Sequence, residues 1–311
     1  MIKKVEIGQN SYFIGEKIKV GQNFSVGNNT IIRGRNINFG DNIKIGNNNN
    51  FLIGGEFFIG NCSFIGDFND FAGIDIHFGD HLYLDSHTII GHGGKMNYDS
   101  RLFLGNGCMV CSYVTLNINF EIQIGDNVGI GENVDVWTHG SYLSVLKGFP
   151  AQFGRVVIGS NVWIPAKSTV MPNVNIGDNV VIGANSIINK NLPSGSLCAG
   201  IPVTIIRENY YPKDLSHQEL VKIIRSALKE YNKLCRFKGF ELNFDFDEKQ
   251  LILKTQHNIF DFNTMEVNGN NLTDYEEDLR DFLRRRGIKF FTNKPFKSIA
   301  PQLYKDLLDV D

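Results

Sequence analysis

Seven histidines, five cysteines and one short run of arginines are the residues of this 311-residue chain whose types could carry chemistry. His139 closes the segment Trp137-Thr138-His139 and stands at the mouth of the stretch 138–157. An imidazole there could take a proton from a substrate hydroxyl near neutral pH, the work of a general base. Cys108 and Cys111 form a C-x-x-C, but no second Cys or His pair follows at zinc-finger spacing. They read as two small residues rather than a metal site. Arg284, Arg285 and Arg286 read as the solvated end of a helix.

What would position these groups is a repeat. An aliphatic residue, often followed by Gly, recurs every six positions: Ile14, Val20, Val26, Ile32; Phe39 and Ile45; Ile53, Ile59, Ile65, Phe71; Phe78, Leu84, Ile90; Leu104, Val110, Leu116; Ile118, Ile124, Ile130, Val136. The cleanest run is Ile158, Ile164, Val170, Ile176, Ile182, Ile188. A period of six fits neither a helix nor a lone amphipathic strand. It fits a short strand and a turn, with three such units closing a triangular coil of roughly 18 residues. The aliphatic side chains stack inside, and Gly, Asn and Asp take the corners that need unusual backbone angles. The expected fold is an all-β solenoid, a parallel β-helix over 13–190 of on the order of ten coils. Breaks in the period place small bulges between runs, a short excursion after Ile90, and a long insertion, 138–157, projecting from one corner.

The net charge of −2 argues against a nucleic-acid or polybasic membrane partner. The start has no apolar signal region, and no run of 18 apolar residues occurs, so no membrane span is expected. An odd number of cysteines suits a reducing, cytoplasmic setting.

The segment 156–208 resembles the last coils of galactoside and maltose acetyltransferases and of bacterial polysaccharide O-acetyltransferases. The residues that carry the likeness are NVWI at 161–164, IGDN at 176–179, IGA at 182–184, NKNLP at 189–193 and AGIP at 199–202, with WTH at 137–139 and AQFG at 151–154 before them. The match is close over roughly 113–207 and looser over 1–190. The resemblance implies a left-handed β-helix, acetyl-CoA as co-substrate without a metal, and a homotrimer holding the coenzyme between neighbouring prisms. It also implies His139 as the catalytic base, deprotonating the acceptor hydroxyl as it attacks the thioester. The family orients that histidine with a Glu. Gln152 stands at the matching position here and could accept the imidazole N–H, with Asp135 a further candidate. Asn117 matches an acceptor-contacting Asn, against a reading as a plain corner residue, and Trp163 matches a Trp lining the site. Ala166, Ala184, Asn189, Lys190 and Arg207 match the coenzyme contacts, while Thr204 replaces a second basic residue.

One rival site is His87 and His92, whose H-x4-H spacing is that of zinc ligands in γ-class carbonic anhydrases of the same fold. That site needs a third His about two coils earlier, and His77 and His81 lie too near, so three-histidine zinc is not expected.

The chain divides at 207/208. Residues 208–311 leave the period: Ser216 with Glu219 and Thr273 with Glu276 open two helices, the second ending near Gly287, and 240–246 and 251–255 read as paired strands. This is an appended α+β domain. The leading function is an acetyl-CoA-dependent O-acetyltransferase acting on a sugar or polysaccharide hydroxyl. The alternatives are an N-acetyltransferase of a nucleotide-linked amino sugar and a non-catalytic β-helix scaffold.

Overall fold

Each hexapeptide becomes a two- to four-residue strand followed by a corner, and successive coils align these strands into parallel ladders. The computed structural model describes residues 5–91, 97–269 and 271–304. Contacts divide the chain into Met1–Lys213 and Asp214–Asp311. The first unit is a parallel β-solenoid of about nine turns. One face is an 11-stranded sheet; the other two are joined into a 15-stranded sheet through the strand Asn50–Ile59.

The interior is the aliphatic set of the repeat. Ile158, Ile164, Val170, Ile176, Ile182 and Ile188 are all buried, as are the six-spaced residues of every earlier run from Val26 onward. Ile14 departs from the expectation: it is 54% exposed, because it pairs with Arg33 on the outer face, and its neighbour Phe13, paired with the buried Ile32, packs on the core instead. Val20 packs on the core only in part.

The coil length also departs from the expected value. Side chains stack 18 residues apart only after the insertion, as from Asn161 to Asn179, whereas earlier coils step by 19 or 20, or by 26 across the excursion after Ile90. The extra residue is absorbed where a strand runs through a corner. Ile31–Phe39 does this, with its register shifting between Gly34 and Asn36.

Asparagine holds the corners in the left-handed region. Asn29, Asn48, Asn133 and Asn185 have φ of 55°, 56°, 55° and 58°. Their side chains form ladders, such as Asn29 Nδ2 to Asn48 Oδ1 at 3.2 Å. Three middle coils replace asparagine at this corner by Phe68, His87 and Tyr113, whose rings stack at 5.1 and 4.8 Å between centroids. His87 is therefore the middle of an aromatic column, and His92 lies outside the described residues. Cys108 is buried and Cys111 half-buried, and neither is in a disulfide. Burial raises the Cys111 pKa.

The second unit is built from two capped helices and a four-stranded antiparallel sheet. Helix α1 (His217–Lys238) starts at a full Ser216/Glu219 capping box and ends at Gly239, φ 81°. Helix α2 (Asp274–Arg284) starts at a full Thr273/Glu276 box. Of the strand expected over 240–246 only Asp245–Asp247 forms, pairing with Ile252–Lys254; Asn258–Asp261 and Glu266–Gly269 complete the sheet. The three arginines at the end of α2 are paired: Arg284 and Arg285 with Asp281, at 2.7 and 3.1 Å, and Arg286 with Glu230 at 2.8 Å. No helix among the described residues is long and apolar enough to cross a membrane.

Candidate active site

The insertion leaves the prism as a two-stranded antiparallel ribbon. His139–Gly140 pairs with Gln152–Phe153, and a short 3-10 turn, Val145–Lys147, lies near its tip. The ribbon is pinned at its base. Gly154 N–H donates to Thr138 O at 2.9 Å. The buried Thr138 hydroxyl donates to Asn117 O at 2.6 Å and accepts from Phe120 N–H at 3.0 Å. Small strand-ending residues thus fix where the next residue, His139, emerges.

His139 is half-buried, and its Nδ1 lies 2.9 Å from Asn117 Oδ1. Asn117 is 2% exposed, on the strand Thr115–Asn117 one coil below. Asn119 N–H also approaches that oxygen, at 3.4 Å. An amide oxygen in this place accepts from Nδ1–H, so the imidazole keeps its proton on Nδ1 and leaves the Nε2 lone pair free. Phe153 lies beside the imidazole at 6.5 Å, 16° from parallel, and Phe120 packs on Phe153 at 6.2 Å.

Gln152 does not meet His139. In the ribbon His139 pairs with Phe153, and Gln152 pairs with Gly140. Paired residues share a face and neighbours alternate, so Gln152 points to the opposite side of the ribbon. Gln152 is exposed, and neither it nor Asp135 hydrogen-bonds to His139 among the described residues. The side chain set against the imidazole is that of the buried Asn117. Thr138 and Phe153 were not singled out from sequence; only the ribbon's register reveals them.

The other site residues lie elsewhere on the prism. Trp163 is 38% exposed on the 11-stranded face, in register with Gly129. A Cβ at Gly129 would come within 2.4 Å of indole Cε3, so the glycine is the seat that lets the ring lie flat. At the next corner Ala166 and Ala184 stand one coil apart, in line with Glu132, and Gly131 lies beside Ala166. A Cβ at Gly131 would come within 2.5 Å of Ala166 N, and Asn185 N–H donates to Ala166 O at 3.0 Å. Asn189 and Lys190 are exposed. Arg207 is exposed, its guanidinium 5.4 Å from the Tyr210 ring centre. A hydrogen bond from the Lys213 ammonium holds the Tyr210 hydroxyl pKa below its ordinary value. The small-residue corner and the His139 corner are different edges of the prism, separated by the face that carries Asp135–Trp137 and Thr169–Val170. Among the described residues no group of three or more His, Cys, Asp or Glu is arranged to hold a metal ion.

Comparison with known proteins agrees with this architecture. Residues 155–190 match the bacterial transferase hexapeptide (six repeats) family. Galactoside O-acetyltransferase of Escherichia coli (strain K12) is 36% identical over 126 residues, 38% of this chain and 62% of that protein. The putative acetyltransferase SACOL2570 of Staphylococcus aureus (strain COL) is 37% identical over 139 residues, 35% of this chain and 70% of that protein. A hexapeptide-repeat acetyltransferase of Vibrio cholerae, VCA0836, aligns in structure with TM-score 0.33 and 28% identity, over 36% of this chain and 64% of that one. The match thus covers less than two thirds of the galactoside enzyme.

Proposed function

The chain belongs to the hexapeptide-repeat acetyltransferases, and we propose that it transfers an acetyl group from acetyl-CoA to a hydroxyl of a sugar or polysaccharide. The observation that carries this reading is the His139–Asn117 pair at the base of the ribbon. Asn117 holds the imidazole in one tautomer, and Nε2 takes the acceptor proton as the hydroxyl oxygen attacks the thioester carbonyl. The new ester bond forms as the C–S bond breaks, and the proton held at Nε2 passes to the leaving thiolate. Gln152 has no part in this; its neutral side chain is on the other face of the ribbon.

Ala166 and Ala184, one coil apart, suit the coenzyme's pantetheine arm, because small side chains let a thin chain lie against the backbone, with Lys190 and Arg207 available to its phosphates. Trp163 offers an exposed flat surface on the adjoining face. Because the base and the small-residue corner are on different edges of one prism, a site that uses both needs a neighbouring copy. A closed trimer supplies three identical clefts. Five cysteines outside any disulfide suit a reducing cytoplasm.

Incubating the protein with acetyl-CoA and a panel of sugars and oligosaccharides, and reading free thiol, tests the reading. Acceptor-dependent thiol release supports it. Calorimetry that finds no CoA binding by folded protein contradicts it. Lys190→Ala weakens CoA binding roughly threefold, the worth of one exposed charge contact.

A further inference from the structure

The transferase chemistry leaves one charged feature of the second unit unused. Arg225, Lys229, Lys233 and Arg236 follow one another at steps of four, four and three along α1, and so share one face of the helix with Asn232 beside them. They wall a cleft of about 430 Å³ whose other side is Phe244, Phe246 and Glu248. That volume falls in the range of small-ligand sites.

The charge in the cleft does not balance. Glu248 is its single carboxylate, and it is committed to Arg225, whose Nε donates to it at 2.9 Å. Lys229, Lys233 and Arg236 form no ion pair among the described residues. Like charges three and four apart on a helix destabilise it. Elsewhere this unit avoids that cost: Arg280, Arg284, Arg285 and Arg286 each have a carboxylate partner. An uncompensated cationic stripe facing two aromatic rings across a cleft is the complement of an anionic ligand with flat apolar faces.

The stripe is also long. From Lys229 to Arg236 the unpaired part runs about 10 Å at the helical rise per residue. A single phosphate or diphosphate would meet only part of it. An extended chain carrying an acidic group on successive units would meet all of it. Pyranose rings bring apolar C–H faces that pack on the negative face of a phenyl ring.

We propose that this cleft binds an anionic glycan, its carboxylates or phosphates along Lys229, Lys233 and Arg236 and its sugar rings on Phe244 and Phe246. Where the glycan is also the acetyl acceptor, the inference rests on the transferase reading above and narrows its acceptor to acidic polysaccharides.

The experiment titrates the full chain with four probes at equal ionic strength: oligogalacturonate, maltoheptaose, inorganic polyphosphate and a single-stranded oligonucleotide. Oligogalacturonate is expected to bind most tightly, and maltoheptaose hardly at all. The triple variant Lys229→Gln/Lys233→Gln/Arg236→Gln weakens oligogalacturonate by about tenfold or more, and raising salt from 0.05 to 0.5 M weakens the native protein in the same sense. Phe244→Leu/Phe246→Leu, which keeps apolar bulk, weakens oligogalacturonate several-fold and leaves polyphosphate unchanged. Thermal melts confirm that each variant is folded. Polyphosphate or the oligonucleotide binding as tightly as oligogalacturonate overturns the proposal, as does an unchanged affinity in the folded triple variant. Acetyl-CoA binding is measured in parallel and is unaffected by the triple variant. Glycan binding without CoA binding sinks the transferase reading alone; CoA binding without glycan binding sinks the cleft alone.

Discussion

The two units keep polar groups in their interiors in opposite ways. Among the described residues the buried polar residues of the prism are all neutral: Thr30, Asn49, Asn69, Thr88, Asn117, Thr138, Ser168 and their like. The second unit buries Lys238, Glu276, Glu277, Asp278, Arg280 and Asp281. Repetition explains the difference. A coil stacked on a copy of itself would set like charges one above another, so only side chains that both donate and accept, such as Asn, Ser and Thr, can ladder through it. The second unit uses each position once and can match every buried charge with its own partner. Arg280 shows this: it meets Glu277 at 2.6 Å and the carbonyls of Phe290 and Pro295 at 3.1 and 2.6 Å.

Three changes sharpen the contrast. The largest effect is expected in the prism, from Ile164→Asp. Ile164 is fully buried in a stack with no group to receive a charge. The variant should lose roughly 4 kcal/mol or more, and urea titration followed by CD should show the β signal going first while the helical signal persists. Simultaneous loss of both signals would mean that the cores are not independent.

Next is Asp278→Ala in the second unit. Asp278 pairs with the buried ammonium of Lys238, and its carboxylate also accepts from Tyr231 OH at 3.2 Å and Ile299 N–H at 2.6 Å. Removing it strands a buried cation and should cost about 3–5 kcal/mol. Asp278→Ala/Lys238→Met should recover part of that loss, which a simple cavity effect would not allow.

The smallest of the three is an acid effect. Burial pushes the Glu276 carboxyl pKa up, but hydrogen bonds from the Thr255 hydroxyl, the Thr273 N–H and Asn258 outweigh it and hold the carboxyl below its ordinary value. A depressed carboxyl contributes stability that is present above its unfolded pKa, ~4.3, and lost as pH falls through the lower folded value. The helical signal should therefore weaken below about pH 4 ahead of the β signal. Glu276→Gln should lower neutral-pH stability by about 1–2 kcal/mol and flatten that acid loss.

The same contrast governs what could be read from the chain. The prism interior was legible in large part because the six-spaced runs from Val26 to Ile188 are all inward, although Ile37, Phe57, Ile76, Leu102 and Ile122, also inward, fall outside them. The bulges that lengthen coils to 19 and 20 were legible as breaks in the period, as between Ile32 and Phe39, though the coil was expected to be roughly 18 residues. In the second unit the S-x-x-E and T-x-x-E boxes announced both helices, since capping is local chemistry. The strands Asn258–Asp261 and Glu266–Gly269 are too short to show a period. The basic stripe on α1 was present in the spacing of 225, 229, 233 and 236, but its meaning comes from the cleft facing it. At the candidate site the histidine was legible from its place at the loop mouth. Its partner was not, because a one-residue register across the ribbon decides that Phe153, and not Gln152, shares the face of His139.

That partner is the centre of the account, and kcat measured for three variants on one acceptor tests it. His139→Ala should lower kcat by roughly 10²–10⁴-fold, the usual worth of a positioned base, with CoA affinity unchanged. Asn117→Ala should lose roughly tenfold to a hundredfold as the imidazole loses its fixed tautomer, and Gln152→Ala should stay within about twofold of the native rate. A Gln152→Ala loss larger than that of Asn117→Ala, or near-native turnover by His139→Ala, would contradict the account.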